Sequence, residues 1–240
     1  ERFLKRQEGI TFYTDARVKA MDETALIAEQ KGKDLRIDAE KILISVGRVP
    51  NNEPLIKIGA KADEKGRLEV DEAYRTNLPG VYAIGDAIPG PALAHRAEHD
   101  AERLAAMLAK KPVPPANAPM PGVVYTTPEL AMVGLSEAQA QAQGVDFSAA
   151  KFPFAANGRA LTNGTPEGFV KLIGDKTSGK LLGAQILGAN AGELISTIGA
   201  HLKHNAKISD LAHTLTAHPT LSEAIKEAAL VWEGNPLHTV

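Results

Sequence analysis

Thr216-Ala217-His218-Pro219-Thr220-Leu221-Ser222-Glu223 is the stretch on which the reading of this chain turns. Thr220 followed three residues later by Glu223 has the form of a capping box, with Thr220 as N-cap and Glu223 at the third helical position, so a helix starts here. Leu221, Ala224, Ile225, Ala228 and Trp232 then share one apolar face. His218 precedes Pro219, which biases it to an extended backbone just outside the helix and away from that face. An extended His beside a helix start points outward. Glu223, five residues on, can fold back to the imidazole, fix its tautomer and stabilise the imidazolium. Two readings stand side by side: Glu223 closes the helix start, or it tunes His218 as an acid/base.

Working outward, the preceding segment carries Leu194, Ile195, Ile198 and Leu202 on one face of a second helix. Residues 169–173 and 181–187 pair as strands across the turn Gly174-Asp175-Lys176-Thr177-Ser178-Gly179. Ser136 caps a short helix running to Gln143, and residues 123–125 begin another strand. This C-terminal part reads as α+β. It is bounded by residues 111–121, where five prolines in eleven residues cannot continue a helix and form the best domain linker in the chain.

Ahead of the linker the pattern is strand, acidic turn, helix. Val81-Tyr82-Ala83-Ile84 reads as a buried strand stopped by Gly85-Asp86, and Ala94, Ala97, Ala101, Leu104 and Leu108 recur at helical spacing over residues 93–109. Ile42-Leu43-Ile44-Ser45-Val46 is continuously apolar, as expected of a strand buried on both faces, and ends at Gly47-Arg48-Val49-Pro50-Asn51. Residues 18–28 and 35–37 predict a small antiparallel meander. Residues 9–13 alternate like a strand after a polar helical start, so the chain reads as cut from something longer.

With 240 residues, a formal charge of -2 and 44% apolar residues, the chain is expected to be soluble and cytoplasmic, with no field for nucleic acid and no apolar run long enough for a bilayer. The absence of cysteine excludes disulfides, thiolate metal sites and a cysteine nucleophile within these residues. The seven histidines, including His95 and His99 four apart, show no metal-ligand spacing, so no metal is expected.

Three motifs in order carry a resemblance. The run Thr76-Asn77-Leu78-Pro79-Gly80-Val81-Tyr82-Ala83-Ile84-Gly85-Asp86 resembles the second flavin-binding fingerprint of the two-dinucleotide-domain flavoproteins. Gly-Arg-x-Pro-Asn at Gly47 is similar to the close of their nicotinamide-nucleotide domain. His-Pro-Thr-x-x-Glu at His218 resembles the C-terminal signature of the flavoprotein disulfide reductases, the class I pyridine nucleotide-disulfide oxidoreductases. Phe152-Pro153-Phe154-Ala155-Ala156-Asn157-Gly158-Arg159-Ala160 is similar to the dihydrolipoamide dehydrogenase group within them.

The resemblance implies an α/β and α+β fold in three pieces: residues 1–51 as the end of an NAD-binding domain, 52–118 as the end of an FAD-binding and central domain, and 119–240 as an α+β interface domain. It implies FAD held by Asp86 with Leu93, Ala94 and His95 facing the flavin, and NAD lined by Val18, Ser45, Val46, Gly47 and Arg48. It makes His218 the acid/base, oriented by Glu223, serving the redox disulfide of the other subunit of a homodimer. The implied activity is oxidation of dihydrolipoamide to lipoamide with reduction of NAD, and the implied partner is the lipoyl domain of a 2-oxoacid dehydrogenase or glycine cleavage complex. No Gly-x-Gly-x-x-Gly loop and no cysteine pair occur here. The isolated chain is therefore expected to be inactive and to hold FAD weakly or not at all. The alternatives are a non-catalytic dimerisation module, or a related glutathione or mercuric reductase.

Overall fold

The computed structural model describes residues 9–238, in two compact units, Glu1–Glu69 and Val70–Val240. The polar helical start expected before residue 9 lies outside the described residues.

In the first unit the meander forms. Strands β1 (Ala16–Met21), β2 (Ala25–Gln30) and β3 (Lys33–Asp38) pair antiparallel in that order. Lys31 and Gly32 both have positive φ between the paired Gln30 and Lys33, the two-residue primed turn whose twist suits a hairpin. The opposite connection is held by Asp22, whose carboxylate accepts the N–H groups of Thr24 and Ala25 at 2.8 Å each. A short helix, α1 (Glu53–Lys57), follows.

Two strands expected here are absent. Residues 9–13 and 42–46 have no strand pairing, and Leu43 and Val46 are 90% and 91% exposed. An apolar run becomes a central strand only with a hydrogen-bonding neighbour and cover on both faces. Among the described residues none pairs with 42–46, and the meander is complete without it.

Early in the second unit, residues 81–84 are extended but joined only by the single bridge Arg75↔Tyr82, with Ala83 buried. The facing segment turns on Asp71, which accepts the N–H groups of Ala73 and Arg75, and so offers no longer ladder. Helix α2 (Ala94–Leu108) follows, and its buried residues are Arg96, Asp100 and Arg103. The alanine and leucine face predicted from the spacing is not the buried one: Ala94, Ala101 and Leu108 are exposed.

Residues 111–121 contain no helix or strand, but they are fastened to α2 rather than free. His95 Nε2 lies 2.9 Å from the Pro121 carbonyl, His99 Nε2 lies 2.9 Å from that of Pro115, and Arg103 donates to that of Pro114. Prolines offer only carbonyl acceptors, and α2 supplies donors at four-residue spacing along one face.

Beyond it stands a five-stranded antiparallel sheet in the order β4-β5-β8-β7-β6, made of β4 (Gly122–Val124), β5 (Glu129–Gly134), β6 (Phe147–Pro153), β7 (Phe169–Asp175) and β8 (Leu181–Gly188). The predicted pairing of residues 169–173 with 181–187 is there, in register Phe169↔Leu187. Helix α3 (Glu137–Ala142) has the predicted cap: Ser136 accepts the Gln139 N–H at 3.2 Å, and Gln139 accepts that of Ser136 at 2.9 Å. The short α4 (Gly158–Thr162) precedes β7. Helices α5 (Ala191–Lys203), α6 (Ile208–Ala212) and α7 (Glu223–Trp232) complete the domain, with Leu194, Ile195, Ile198, Ala224, Ile225 and Ala228 buried in one core with Phe152, Phe154, Val170 and Ile186. That core fixes where α7 begins, and so where His218 stands.

Candidate functional site

His218 and Glu223 meet as the sequence predicts: His218 Nδ1 lies 2.9 Å from Glu223 Oε1. The other carboxylate oxygen accepts the Thr220 N–H at 2.8 Å. This is one half of the predicted capping box. The other half is absent, because the Thr220 hydroxyl donates to the Ala217 carbonyl at 2.8 Å, and α7 begins with bonds from Ala224 N–H to Leu221 and from Ile225 N–H to Ser222. Turned this way, Thr220 ties down the segment carrying His218.

The imidazole is 76% exposed and the Glu223 carboxyl 21%. An ionised carboxylate only accepts hydrogen bonds, so Nδ1 carries the hydrogen, and the neutral ring keeps its lone pair at Nε2. Burial pushes the Glu223 carboxyl up, but the Thr220 N–H, the His218 ring and the charge of His238 together outweigh it and hold it below the ordinary 4.5. A depressed folded-state value means stability that is fully present above 4.5 and lost as the pH falls through the folded value. Glu223→Gln is therefore expected to flatten the acid limb of a denaturation-midpoint profile. An unchanged acid limb would remove Glu223 as its source.

Asn157 completes the setting, and the sequence reading quotes it only as part of a family string. Only 4% exposed, it donates from Nδ2 to the Thr220 carbonyl at 3.0 Å while its Oδ1 accepts the Ala160 N–H at 2.9 Å and caps α4. The cap was legible from Asn157 three residues before Ala160. The reach of 63 residues to Thr220 was not.

Gly85-Asp86 sits in a 3-10 turn against α2, with Gly85 at φ 62; a Cβ there would lie 2.8 Å from that of Ala97. Asp86 is exposed, and Leu93 is the N-cap of α2, followed by Ala94 and His95 in its first turn. Buried charge fixes this loop. Arg96 donates to the carbonyls of Pro89 at 2.8 Å, Pro91 at 3.3 Å and Gly85 at 3.4 Å, and Asp100 accepts the Gly85 N–H at 3.1 Å. Asp100 also accepts the Tyr74 hydroxyl at 3.0 Å; burial pushes that phenol up, which keeps it a donor. The sequence signal for this lock was a charged i, i+4 pair on α2, masked by the alanine spacing.

Val18 lies on β1, 57% exposed, and Ser45, Val46, Gly47 and Arg48 lie in the segment without helix or strand. No group of three or more His, Cys, Asp or Glu able to hold a metal ion occurs among the described residues, and no helix among them is long and apolar enough to cross a membrane.

Residues 1–101 match the family profile described as pyridine nucleotide-disulphide oxidoreductase, and residues 120–229 match the dimerisation domain of the same family. The chain is 42% identical over 245 aligned positions to the dihydrolipoyl dehydrogenase of Bacillus subtilis, covering 100% of this chain and 52% of that protein. It is 43% identical over 246 positions to the mitochondrial dihydrolipoyl dehydrogenase of Pisum sativum, covering 99% and 49%. Among solved structures it resembles the HOCl-induced flavoprotein disulfide reductase RclA of Escherichia coli in its Cu(II) complex, with a TM-score of 0.84 at 25% identity over 95% of this chain and 53% of that one. The chain thus spans about half the length of the relatives it matches. With both profiles matched in order and the fold shared, the chain belongs to the pyridine nucleotide-disulphide oxidoreductases and carries their dimerisation domain.

Proposed function

We propose that this chain is the acid/base and interface portion of a dihydrolipoyl dehydrogenase, which oxidises dihydrolipoamide to lipoamide through a redox disulfide and FAD, with reduction of NAD. The observation that carries this reading is His218, held through Nδ1 by a carboxylate at 2.9 Å with its ring open to solvent. Such an imidazole accepts the proton of an attacking dithiol at Nε2. The resulting thiolate is the nucleophile toward a disulfide, and Glu223 stabilises the imidazolium until the proton leaves. Glu223 acts through His218 and is a positioning residue.

On this reading residues 1–51 end the NAD domain, 52–118 end the FAD and central domain, and 119–240 form the interface domain. The residues assigned to FAD fit it in kind: Gly85 would let a ligand approach the backbone, Asp86 would offer an acceptor to a ribityl hydroxyl, and Leu93, Ala94 and His95, at the N-terminus of a 15-residue helix, would offer backbone N–H groups to an electron-rich ring. When bound, FAD supplies the two-electron acceptor for the dithiol and the donor to NAD. Val18, Ser45, Val46, Gly47 and Arg48 are assigned to NAD.

With no cysteine among its 240 residues the chain carries no redox disulfide of its own, and the isolated chain is expected to be inactive. The partners assigned are a second copy through residues 119–240 and the lipoyl domain of an acyl-transferring complex, in the cytoplasm. The substrate class is tested by offering the full-length protein dihydrolipoamide with NAD, and separately glutathione disulfide or Hg(II) with a reduced nicotinamide nucleotide. Turnover with dihydrolipoamide is expected to dominate. Preference for either other acceptor would replace this reading by that of the corresponding reductase.

A further inference from the structure

Helix α7 carries a second His–carboxylate pair that the assignment above does not use. Glu227 follows Glu223 by one helical turn, and its side chain is only 5% exposed. A carboxylate buried to that extent requires partners. Residues 237 and 238 provide them. His238 Nδ1 lies 2.9 Å from Oε1, and the N–H groups of Leu237 and His238 donate to Oε2 at 3.2 and 3.1 Å.

The arrangement repeats the first pair. Each carboxylate gives one oxygen to an imidazole Nδ1 and the other to backbone N–H of the same short segment as its His, and each ring is well exposed, at 76% for His218 and 63% for His238. As acceptors only, the two carboxylates oblige both rings to carry hydrogen at Nδ1, which leaves the lone pair of each neutral ring at Nε2.

We propose that Glu227 and His238 are positioning residues for the His218–Glu223 pair: Glu227 anchors residues 237–238 one helical turn along α7 from Glu223, and the charge of the Glu227–His238 pair sets the proton affinity of the His218 imidazole. The proposal rests on the acid/base reading of His218 and deepens it. A lone carboxylate at Glu227 favours the imidazolium of His218, and a protonated His238 opposes it. The charge of His238 also acts on the Glu223 carboxyl, as the smallest of the influences on it and in the same direction as that of His218.

Other charges on the elements packed against α7 are engaged elsewhere. His213 lies 4.0 Å from Glu233, Lys171 pairs with Glu137, and Lys151 sits 4.1 Å from the Phe169 ring. Asp210 accepts the Lys207 N–H, and Asp175 that of Ser178. Lys226 is a further cation on α7 itself, and Arg159 lies on α4.

The test uses the full-length protein with labelled histidine. The His218 ring is titrated by NMR, and the pH dependence of kcat/KM for dihydrolipoamide is measured beside it. Glu227→Gln is expected to lower the His218 midpoint and His238→Gln to raise it, each by roughly a few tenths to one pH unit, with the double variant returning toward the parent. Shifts in the same direction, or none in a folded His238→Gln protein, would overturn the proposal. His238 is exposed, so that variant remains informative if Glu227→Gln fails to fold. Opposite NMR shifts that kcat/KM does not follow would uphold the coupling and instead remove His218 as the acid/base.

Discussion

Replacing His218 by glutamine in the full-length protein is expected to slow reaction with dihydrolipoamide by about 10²–10⁴-fold, the usual worth of a positioned acid/base. Glutamine keeps a donor for Glu223 and so preserves the local fold, but it has no basic nitrogen to take up the thiol proton. On the proposed function, the loss falls in the thiol–disulfide half of the cycle. NADH-driven reduction of a one-electron dye, which needs no proton from a dithiol, is expected to stay near the parent rate. Glu223→Gln is expected to cost less, because His218 remains but its tautomer is no longer dictated by an acceptor-only partner. Stopped-flow reduction by dihydrolipoamide beside the dye assay makes the separation. If H218Q slows both reactions equally, His218 supports the fold and not the proton transfer.

His218 and Glu223 were legible because their partnership is local: five residues, a proline and a helix start bring them together, and the 2.9 Å contact follows from those constraints. The same holds for the Ser136 cap and the β7–β8 hairpin, both made by neighbours in sequence. Where partners lie far apart, the sequence carried less. Residues 42–46 have the composition of a central strand, yet a strand is a property of its neighbours, and among the described residues none pairs with it. Helix α2 misled in the opposite sense. Its alanine spacing marks an apolar face, whereas the buried face carries Arg96, Asp100 and Arg103, because the elements beside it present carbonyls that need donors. Strands β5 and β6 escaped notice for a related reason. The buried positions of β6 are Ala150 and Phe152, and an alanine contributes too little contrast for alternation to stand out. The reach of Asn157 to Thr220 and the pairing of Glu227 with His238 could not be found from spacing, since each needs a partner brought close only by the finished fold.

The second large effect is on stability and reaches the site through the core. Phe154→Ala is expected to destabilise the chain by about 3–5 kcal/mol, a large share of the roughly 5–15 kcal/mol that holds a domain together. Phe154 is 1% exposed, its N–H donates to the Gly168 carbonyl at 3.1 Å, and its ring fills the space left by Gly188 of β8, where a Cβ would come within 2.7 Å of Cδ2. Asn157 donates from its backbone to the Phe154 carbonyl and from its side chain to Thr220, so the ring anchors the contacts that end at Glu223. Gly188→Ala is expected to cost about 1–3 kcal/mol by overpacking the same space. In the double variant the added methyl occupies part of the cavity left by the ring, so the combined loss must fall below the sum of the two single losses. Urea denaturation of the parent and the three variants measures this directly. Additive losses would mean that Phe154 and Gly188 do not share that space, and that the path from the sheet to Glu223 does not run through this ring.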